Sequence, residues 1–393
     1  MMRKLTLGSL LLFTFIIMFL TILMPSDEAQ AIPAFARKYS MSCTTCHAPY
    51  PRLKEYGDEF AGNGFTLKDK DAPRYFVETG DRKLSLIREL PFAVRLEGYT
   101  SYNSASNRNL DFTSPYIAKL LSGGTLAKDI SYYFYFFFSE RGDATVGIED
   151  AFIMFNNLFN SELDFYIGQF QVSDPLFKRE LRLTYEDYQV YKFRPGSSLI
   201  NLAYDRGIMV TYGFPSGTDV VLEVLNGNGL NAADEMHLYD SDKYKNIFGR
   251  ISQNIGEYLR VGGIGFYGKE KQEAVNEVTM FGGDATLAYG PLELNLQYLD
   301  RKDTDPDMTG AAIDLKTQGG MAELIINPHG DRSDWYLVAL YNQIDSDRQE
   351  LKYQTLTGHI GYLLRTNVRL TGEVSYDIEN EESRVVLGII TAF

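Results

Sequence analysis

The stretch 352–393 reads K-Y-Q-T-L-T-G-H-I-G-Y-L-L-R-T-N-V-R-L-T-G-E-V-S-Y-D-I-E-N-E-E-S-R-V-V-L-G-I-I-T-A-F. In its first run, Leu356, Ile360, Tyr362 and Leu364 alternate with Thr355, Thr357, His359 and Arg365. In the second, Val368, Leu370, Val374 and Tyr376 alternate with Arg369, Thr371, Glu373, Ser375 and Asp377. Successive side chains of a strand point to opposite faces, so each run gives one apolar and one polar face. The third run, Val385, Leu387, Ile389, Thr391 and Phe393, alternates again and ends on an aromatic residue.

The same period extends back to about residue 90. Strands are predicted near 89–102, 111–124, 129–140, 145–156, 161–172, 203–213, 218–227, 243–254, 257–268, 276–289, 291–302, 314–327, 333–344, 352–365, 367–378 and 383–393. A soluble sandwich would alternate in the same way. The connections discriminate. Those after odd strands include the long polar segments 173–202, 228–242, 303–313 and 345–351, whereas those after even strands include Phe214-Pro215-Ser216-Gly217, Ile255-Gly256, Gly290 and Thr366. Short turns on one side and long loops on the other mark a transmembrane β-barrel. Aromatic residues near strand ends, Tyr132-Tyr133-Phe134-Tyr135 and Phe152 with Phe155, read as interfacial girdles. The terminal Phe393 resembles the assembly signal of bacterial outer-membrane proteins. The expected fold is therefore all-β: an outer-membrane barrel of about sixteen antiparallel strands over 89–393. The longest connection, opening with Ser173-Asp174-Pro175 and carrying Lys178, Arg179, Arg182, Tyr185 and Tyr188, either folds inward as a constriction or stays exposed.

The N-terminus carries a different message. Arg3 and Lys4 precede an apolar run from Leu5 to Met24, and Ala29-Gln30-Ala31 supplies a small-x-small cleavage pattern. A signal peptide over 1–31 follows, with an uncleaved anchor as the alternative. Either puts Cys43 outside the cytoplasm. Cys43-Thr44-Thr45-Cys46-His47 then reads as a c-type haem attachment site: two thiols for the haem vinyl groups and an imidazole for the iron. A redox dithiol would want a βαβ context, and a zinc site would want about four ligands, where the chain has only two cysteines. Segment 32–88 is thus a small monohaem unit, expected to plug the barrel. The formal net charge of −14 over 393 residues speaks against nucleic acid as a partner.

From Ala48 to Ile153 there is neither Met nor His, so a distal haem ligand must come from Met41, from the barrel or from nowhere. Strand parity selects Met209, His359, Met154 and Met321 as lumen-facing candidates, with His329 in a short turn near where the plug enters. For any single Met, filling a gap in the lumen is the simpler reading.

The segment Ala31-Ile32-Pro33-Ala34-Phe35-Ala36-Arg37, the haem motif, Tyr50-Pro51-Arg52-Leu53, Gly57, Phe60 and Gly64-Phe65 resembles the N-terminal signature of the fused monohaem cytochrome–porins. Those are outer-membrane cytochromes associated with oxidation of extracellular Fe(II). The resemblance implies one covalent haem c on the periplasmic side of the barrel, an extracellular donor such as Fe(II), and a periplasmic electron carrier, a soluble cytochrome. Lys38-Tyr39 and Asp58-Glu59 depart from the iron-oxidising pattern, so the resemblance bears on architecture more than on donor. Arg37 could pair a haem propionate, and Pro33, Phe35, Phe60 and Phe65 could pack the haem edge. Asp300, Asp303, Asp305 and Asp307, or Glu379, Glu381 and Glu382, could concentrate Fe(II) or simply form a solvated loop surface. Two other functions fit the same residues: a diffusion porin with a haem sensor or gate, and a haem peroxidase-like enzyme.

Overall fold

The computed structural model describes residues 34–67, 76–77, 79–88, 90–105, 109–141, 146–311 and 313–393. The predicted leader over 1–31, Pro33 and the side chain of Arg37 lie outside the described residues. Sixteen strands form one closed barrel: β1 (Phe92–Asn103), β2 (Leu110–Ala127), β3 (Ile130–Glu140), β4 (Gly147–Leu158), β5 (Leu163–Phe170), β6 (Asp205–Gly213), β7 (Thr218–Leu225), β8 (Asn246–Ile255), β9 (Leu259–Lys271), β10 (Val275–Tyr289), β11 (Leu292–Asp303), β12 (Leu315–Ile326), β13 (Trp335–Ser346), β14 (Tyr353–Arg365), β15 (Val368–Asp377) and β16 (Glu382–Ala392). Each predicted strand is present within a few residues of its expected limits. Every strand pairs antiparallel with its sequence neighbours, and β16 closes on β1 from Arg384 opposite Asn103 to Ala392 opposite Arg95. Phe393 extends that closing ladder, exchanging backbone hydrogen bonds of 2.7 and 2.9 Å with Val94.

The alternation is inverted relative to a soluble protein. Along β14, Thr355, Thr357 and His359 are buried, whereas Leu356 and Ile360 are 55% and 49% exposed. Arg95, Glu97, Lys119, Arg250, Asp284, Arg301, Glu323, Arg369 and Glu373 also point into the lumen, and Ile251, Phe281, Leu296, Val374 and Ile389 point out. An apolar outer surface around a polar interior is what a barrel in a hydrocarbon solvent requires. The aromatic run of β3 is divided by the same parity. Tyr135 is buried in the lumen and Tyr133 stacks on Phe65 of the N-terminal segment at 5.3 Å, so half of the expected girdle faces inward. Phe152 likewise contacts Tyr133 and Tyr166, at 5.7 and 5.6 Å.

The connection from 171 to 204 folds into the lumen. It contributes Val172, Tyr188, Val190, Tyr191, Ile200 and Leu202 to an apolar cluster with wall residues from β4 to β13. Its polar groups bond to strands all round the barrel. Arg95 of β1 donates to the Glu180 carbonyl at 2.9 Å, and Lys119 of β2 meets the Glu180 carboxylate at 3.0 Å. Arg301 of β11 donates to the Ile200 carbonyl at 2.7 Å, Tyr188 donates to Glu323 of β12 at 2.9 Å, and Asn342 of β13 donates to the Asp187 carbonyl at 3.0 Å. Glu373 of β15 accepts the backbone N–H groups of Tyr185 and Glu186 at 2.6 and 2.9 Å. The inward alternative for this loop is the one the structure adopts.

The N-terminal segment enters from the opposite, short-turn end. It contains helices α1 (Ala34–Tyr39) and α2 (Glu55–Gly62). Lys54 bonds Asp331 at 2.7 Å in the 327–334 turn, Arg52 pairs with Glu293, and Arg369 donates to the Tyr50 carbonyl at 3.2 Å. After α2 the chain turns at Gly64, whose φ of +67° suits glycine. A Cβ there would meet Asn156 Oδ1 and Ser131 Oγ at 2.4 Å, so the glycine also allows the approach to β3 and β4. Asn156 fixes the contact by donating to the Gly62 carbonyl at 2.9 Å.

Glu373 alone satisfies two buried loop N–H groups. Glu373→Ala should destabilise the inward loop by about 2–5 kcal/mol, the cost of leaving both donors unpaired. Limited trypsin digestion of the folded barrel measures this: the variant should be cut at Lys178, Arg179 or Arg182 where the wild type resists. Equal resistance would contradict the loop's attachment.

Candidate functional site

The site is built on one turn. Ser42 caps the short 3-10 helix Cys43–Thr45, accepting the Thr44 N–H on its side chain at 3.3 Å. The turn continues through backbone donations from Cys46 and His47 to the Cys43 carbonyl, at 3.2 and 2.9 Å. Both thiols are free. Helix α2 packs directly beneath: a Cβ on Gly57 would lie 2.4 Å from the Cys46 carbonyl oxygen, so only glycine permits this closeness.

His47 Nδ1 lies 2.7 Å from the Pro51 carbonyl oxygen. A carbonyl can only accept, so Nδ1 carries the proton and Nε2 keeps its lone pair. Fixing one ring nitrogen on a backbone carbonyl is how a metal-ligating imidazole is oriented. Burial, opposed by the backbone hydrogen bonds, holds the His47 pKa below the ordinary histidine value, so the ring is neutral at pH 7. Burial pushes both thiols up from the ordinary cysteine value, with Lys54 partly opposing this at Cys46.

Met41, Cys43, Cys46 and His47 line a cavity of about 1600 Å³ between the N-terminal segment, the barrel wall and the inward loop. The other walls include Phe35, Phe60 and Phe65 from the segment, Tyr133, Phe152, Met154 and Met209 from β3, β4 and β6, and Arg182, Leu183 and Tyr188 from the loop. Phe35 stacks on Phe65 at 5.1 Å and meets Phe60 edge-on at 5.3 Å. The lining combines these rings with many charged groups, among them Asp150, Glu180, Arg182 and Glu323, a mixture that suits a planar cofactor with a charged edge. The residues present therefore fit a haem: two free thiols on one turn, a neutral oriented imidazole, and a roomy cavity at their side with both aromatic and charged walls.

The candidate distal ligands separate. Met154 and Met209 line the cavity together with the haem motif. They sit on one row across the wall, both opposite Tyr166 of β5. Met154 Sδ accepts from Asn156 at 2.7 Å. Met321 is buried in the apolar cluster under the loop and is not part of the cavity lining. His359 has its Nδ1 at 2.9 Å from Glu373 and its Nε2 at 3.5 Å from Tyr336, so both ring nitrogens are committed to the wall. His329 is exposed in the 327–334 turn, close to the Lys54–Asp331 contact.

The acidic residues of 300–307 prove to be tied down. Asp303 pairs with the buried Arg301 at 2.8 Å, Asp305 accepts the Gly310 N–H at 2.7 Å, Asp307 is held by Arg348, and Asp300 accepts from Gln318 at 2.8 Å. Glu379 and Glu381 are exposed beside their turn. Sequence reasoning named Arg182 and Tyr188 as loop residues without placing them against the haem motif, and it missed the Pro51 carbonyl. The approach of the loop is long-range and leaves no local signal, and the Pro51 carbonyl, four residues after His47, carries no residue-type signal because it is backbone.

No family model matches the chain, and no curated protein matches it in sequence. Among solved structures, the barrel is similar to a loop-deletion mutant of OmpT, an outer membrane protein of Vibrio cholerae. The TM-score is 0.58 at 11% identity, covering 78% of this chain and 99% of that one. It is similar to the same extent, with a TM-score of 0.58 at 13% identity, to an anion-selective porin from Comamonas acidovorans, again over 78% and 99%. Salmonella typhi OmpF, solved in complex with daunomycin, gives 0.56 at 10% identity over 77% and 97%. The fold is that of the sixteen-stranded porin-type barrels.

Half-buried thiols ionise late. In protein made without haem, Cys43 and Cys46 should alkylate more slowly at pH 7.5 than an unperturbed thiol of pKa about 8.5, with a rate still climbing above about pH 9. A rate that levels off below the ordinary thiol value would contradict the burial of this turn.

Proposed function

We propose that this chain is an electron conduit of the bacterial outer membrane, with one c-type haem held in the N-terminal segment inside a porin-type barrel. The observation that carries the proposal is the 2.7 Å hydrogen bond from His47 Nδ1 to the Pro51 carbonyl beside two free thiols. It leaves Nε2 with a free lone pair that could ligate an iron, and Cys43 and Cys46 on the same turn could tether the same group. When bound, haem c supplies a one-electron iron couple. The residues that would hold it are His47 at the iron, Cys43 and Cys46 as tethers and the Phe35–Phe60–Phe65 cluster in apolar contact, with Met154 or Met209 as the thioether that the wall would offer. A Met there favours the reduced iron relative to a second imidazole.

Membrane placement is supported by the apolar outer surface and by the likeness to outer-membrane porins. The short-turn end, where the N-terminal segment enters, is then periplasmic. An extracellular donor such as Fe(II) would deliver electrons from the long-loop side, and a soluble periplasmic cytochrome would collect them. A diffusion porin is the second reading, favoured by the fold itself. The loop bonded to seven or more strands and the segment below it both occupy the lumen, which disfavours free passage. A peroxidase-like enzyme would need an open iron position, and three thioethers, Met41, Met154 and Met209, line that cavity.

Haem-linked staining on denaturing gels tests the proposal. The wild type should stain, and Cys46→Ser should lose most of the stain. In lipid vesicles, external Fe(II) should reduce an entrapped cytochrome through the wild type and not through Cys46→Ser. A wild-type protein without stain would remove the cofactor from the account, and a stained protein that conducts no electrons would leave the gated-porin reading.

A further inference from the structure

Seven cationic side chains among the described residues line the cavity, and six of them are already matched to carboxylates. Arg52 pairs with Glu293, Lys54 with Asp331, Arg95 with Glu97, Lys178 with Asp174, Arg250 with Asp284 and Arg260 with Asp219. Arg182, on the inward loop, has only a loose ion pair with Asp187 and no hydrogen bond to a carboxylate. Its side chain is 8% exposed, and its one hydrogen bond runs from Nη1 to the Arg179 carbonyl at 2.9 Å. Its Nε is buried with no acceptor, and the nearest carboxylate oxygen, on Asp187, is 3.7 Å away.

The acids that face Arg182 are engaged elsewhere. Asp187 takes a bidentate donation from Arg179 Nε at 3.0 Å, Glu180 bonds Lys119 at 3.0 Å, and Glu97 bonds Arg95 at 2.7 Å and Tyr99 at 2.6 Å. A guanidinium this buried is costly unless something anionic meets it. The cavity that it lines also holds the haem-attachment turn, and a haem brings two carboxylates that need a cationic partner once removed from water.

We infer that Arg182 is the anchor for a haem propionate, so that the loop folded in from the opposite end of the barrel completes the site begun by Cys43, Cys46 and His47. This rests on the haem reading above. Arg182 is a positioning residue here. It fixes the carboxylate edge of the group, and with it the angle at which His47 and the wall thioethers can face each other. It also ties the loop to the N-terminal segment, because one bound group would be bonded to both. Arg37, the sequence-based candidate for the same role, has its side chain outside the described residues.

The test is the midpoint potential of purified, haem-loaded protein at about pH 9, where a carboxylate stays ionised with or without its partner. Loss of a positive charge beside the iron favours the ferric state. Arg182→Gln should therefore lower the potential, and Arg182→Lys, which keeps the charge, should hold it near the wild-type value. An unchanged potential in Arg182→Gln, or an equal fall in Arg182→Lys, overturns the assignment. The wild type gives an independent arm. Its potential should not respond to added inorganic phosphate, because a propionate already fills the guanidinium. A potential that follows phosphate assigns Arg182 to an exchangeable anion and overturns the inference. Absence of covalent haem would instead be a failure of the underlying functional reading, visible on the gel before any potential is measured.

Discussion

Closure of β16 onto β1 is the constraint on which the rest of this molecule depends. A sheet surrounded by hydrocarbon has no water to satisfy an open edge, so its backbone groups must pair in a complete ring. The ring is continuous here, and even Phe393 takes part through Val94. Once the ring is closed, strand parity assigns every side chain to one of two solvents. Polar residues that a soluble protein would expose are turned into the lumen, and the lumen becomes the interior of the protein.

A lumen so rich in charge is unstable if it stays dry and unpaired. The inward loop and the N-terminal segment resolve this from opposite ends. Lys119 is the sharpest case: it sits fully buried among Glu140, Glu149 and Glu180, two from the wall and one from the loop. Removing either side would strand charges in a poorly solvated space. Buried ion pairs of this kind add little net stability. They specify position, because each loop residue has a single set of partners around the wall. The cavity beside Cys43 is what remains between two elements fixed in this way, and its chemistry comes from three separate parts of the chain.

The strands were legible because their signals are local, and the motif on which the haem proposal rests is local too. Period-2 alternation and turn residues are complete within a dozen positions, and Cys43-Thr44-Thr45-Cys46-His47 is complete within five. Parity also put Met154, Met209, Met321 and His359 on the lumen side, where all four are buried. Parity could not say what each would meet. His359 is committed to Glu373 and Tyr336 by cross-strand register, and Met321 lies under the loop. The aspartates of 300–307 looked like an open cluster until Arg301 and Arg348 were brought to them. The aromatic run of β3 read as a girdle, although Tyr133 and Tyr135 serve the interior. The loop was ambiguous for the same reason: its partners come from distant strands, 61 residues away for Lys119 and 187 for Glu373. The long-loop asymmetry is imperfect as well, with the short connections 272–274 and 378–381 on the long-loop end and the longer 327–334 on the other.

The account turns on whether a haem is bonded to this turn in the folded barrel. Intact-protein mass spectrometry of wild-type chain extracted from bacterial outer membranes measures that directly. The account predicts the mass of the polypeptide plus one haem, with both Cys43 and Cys46 blocked to alkylation. A mass equal to the polypeptide alone, with the two thiols free or joined to each other, would contradict it.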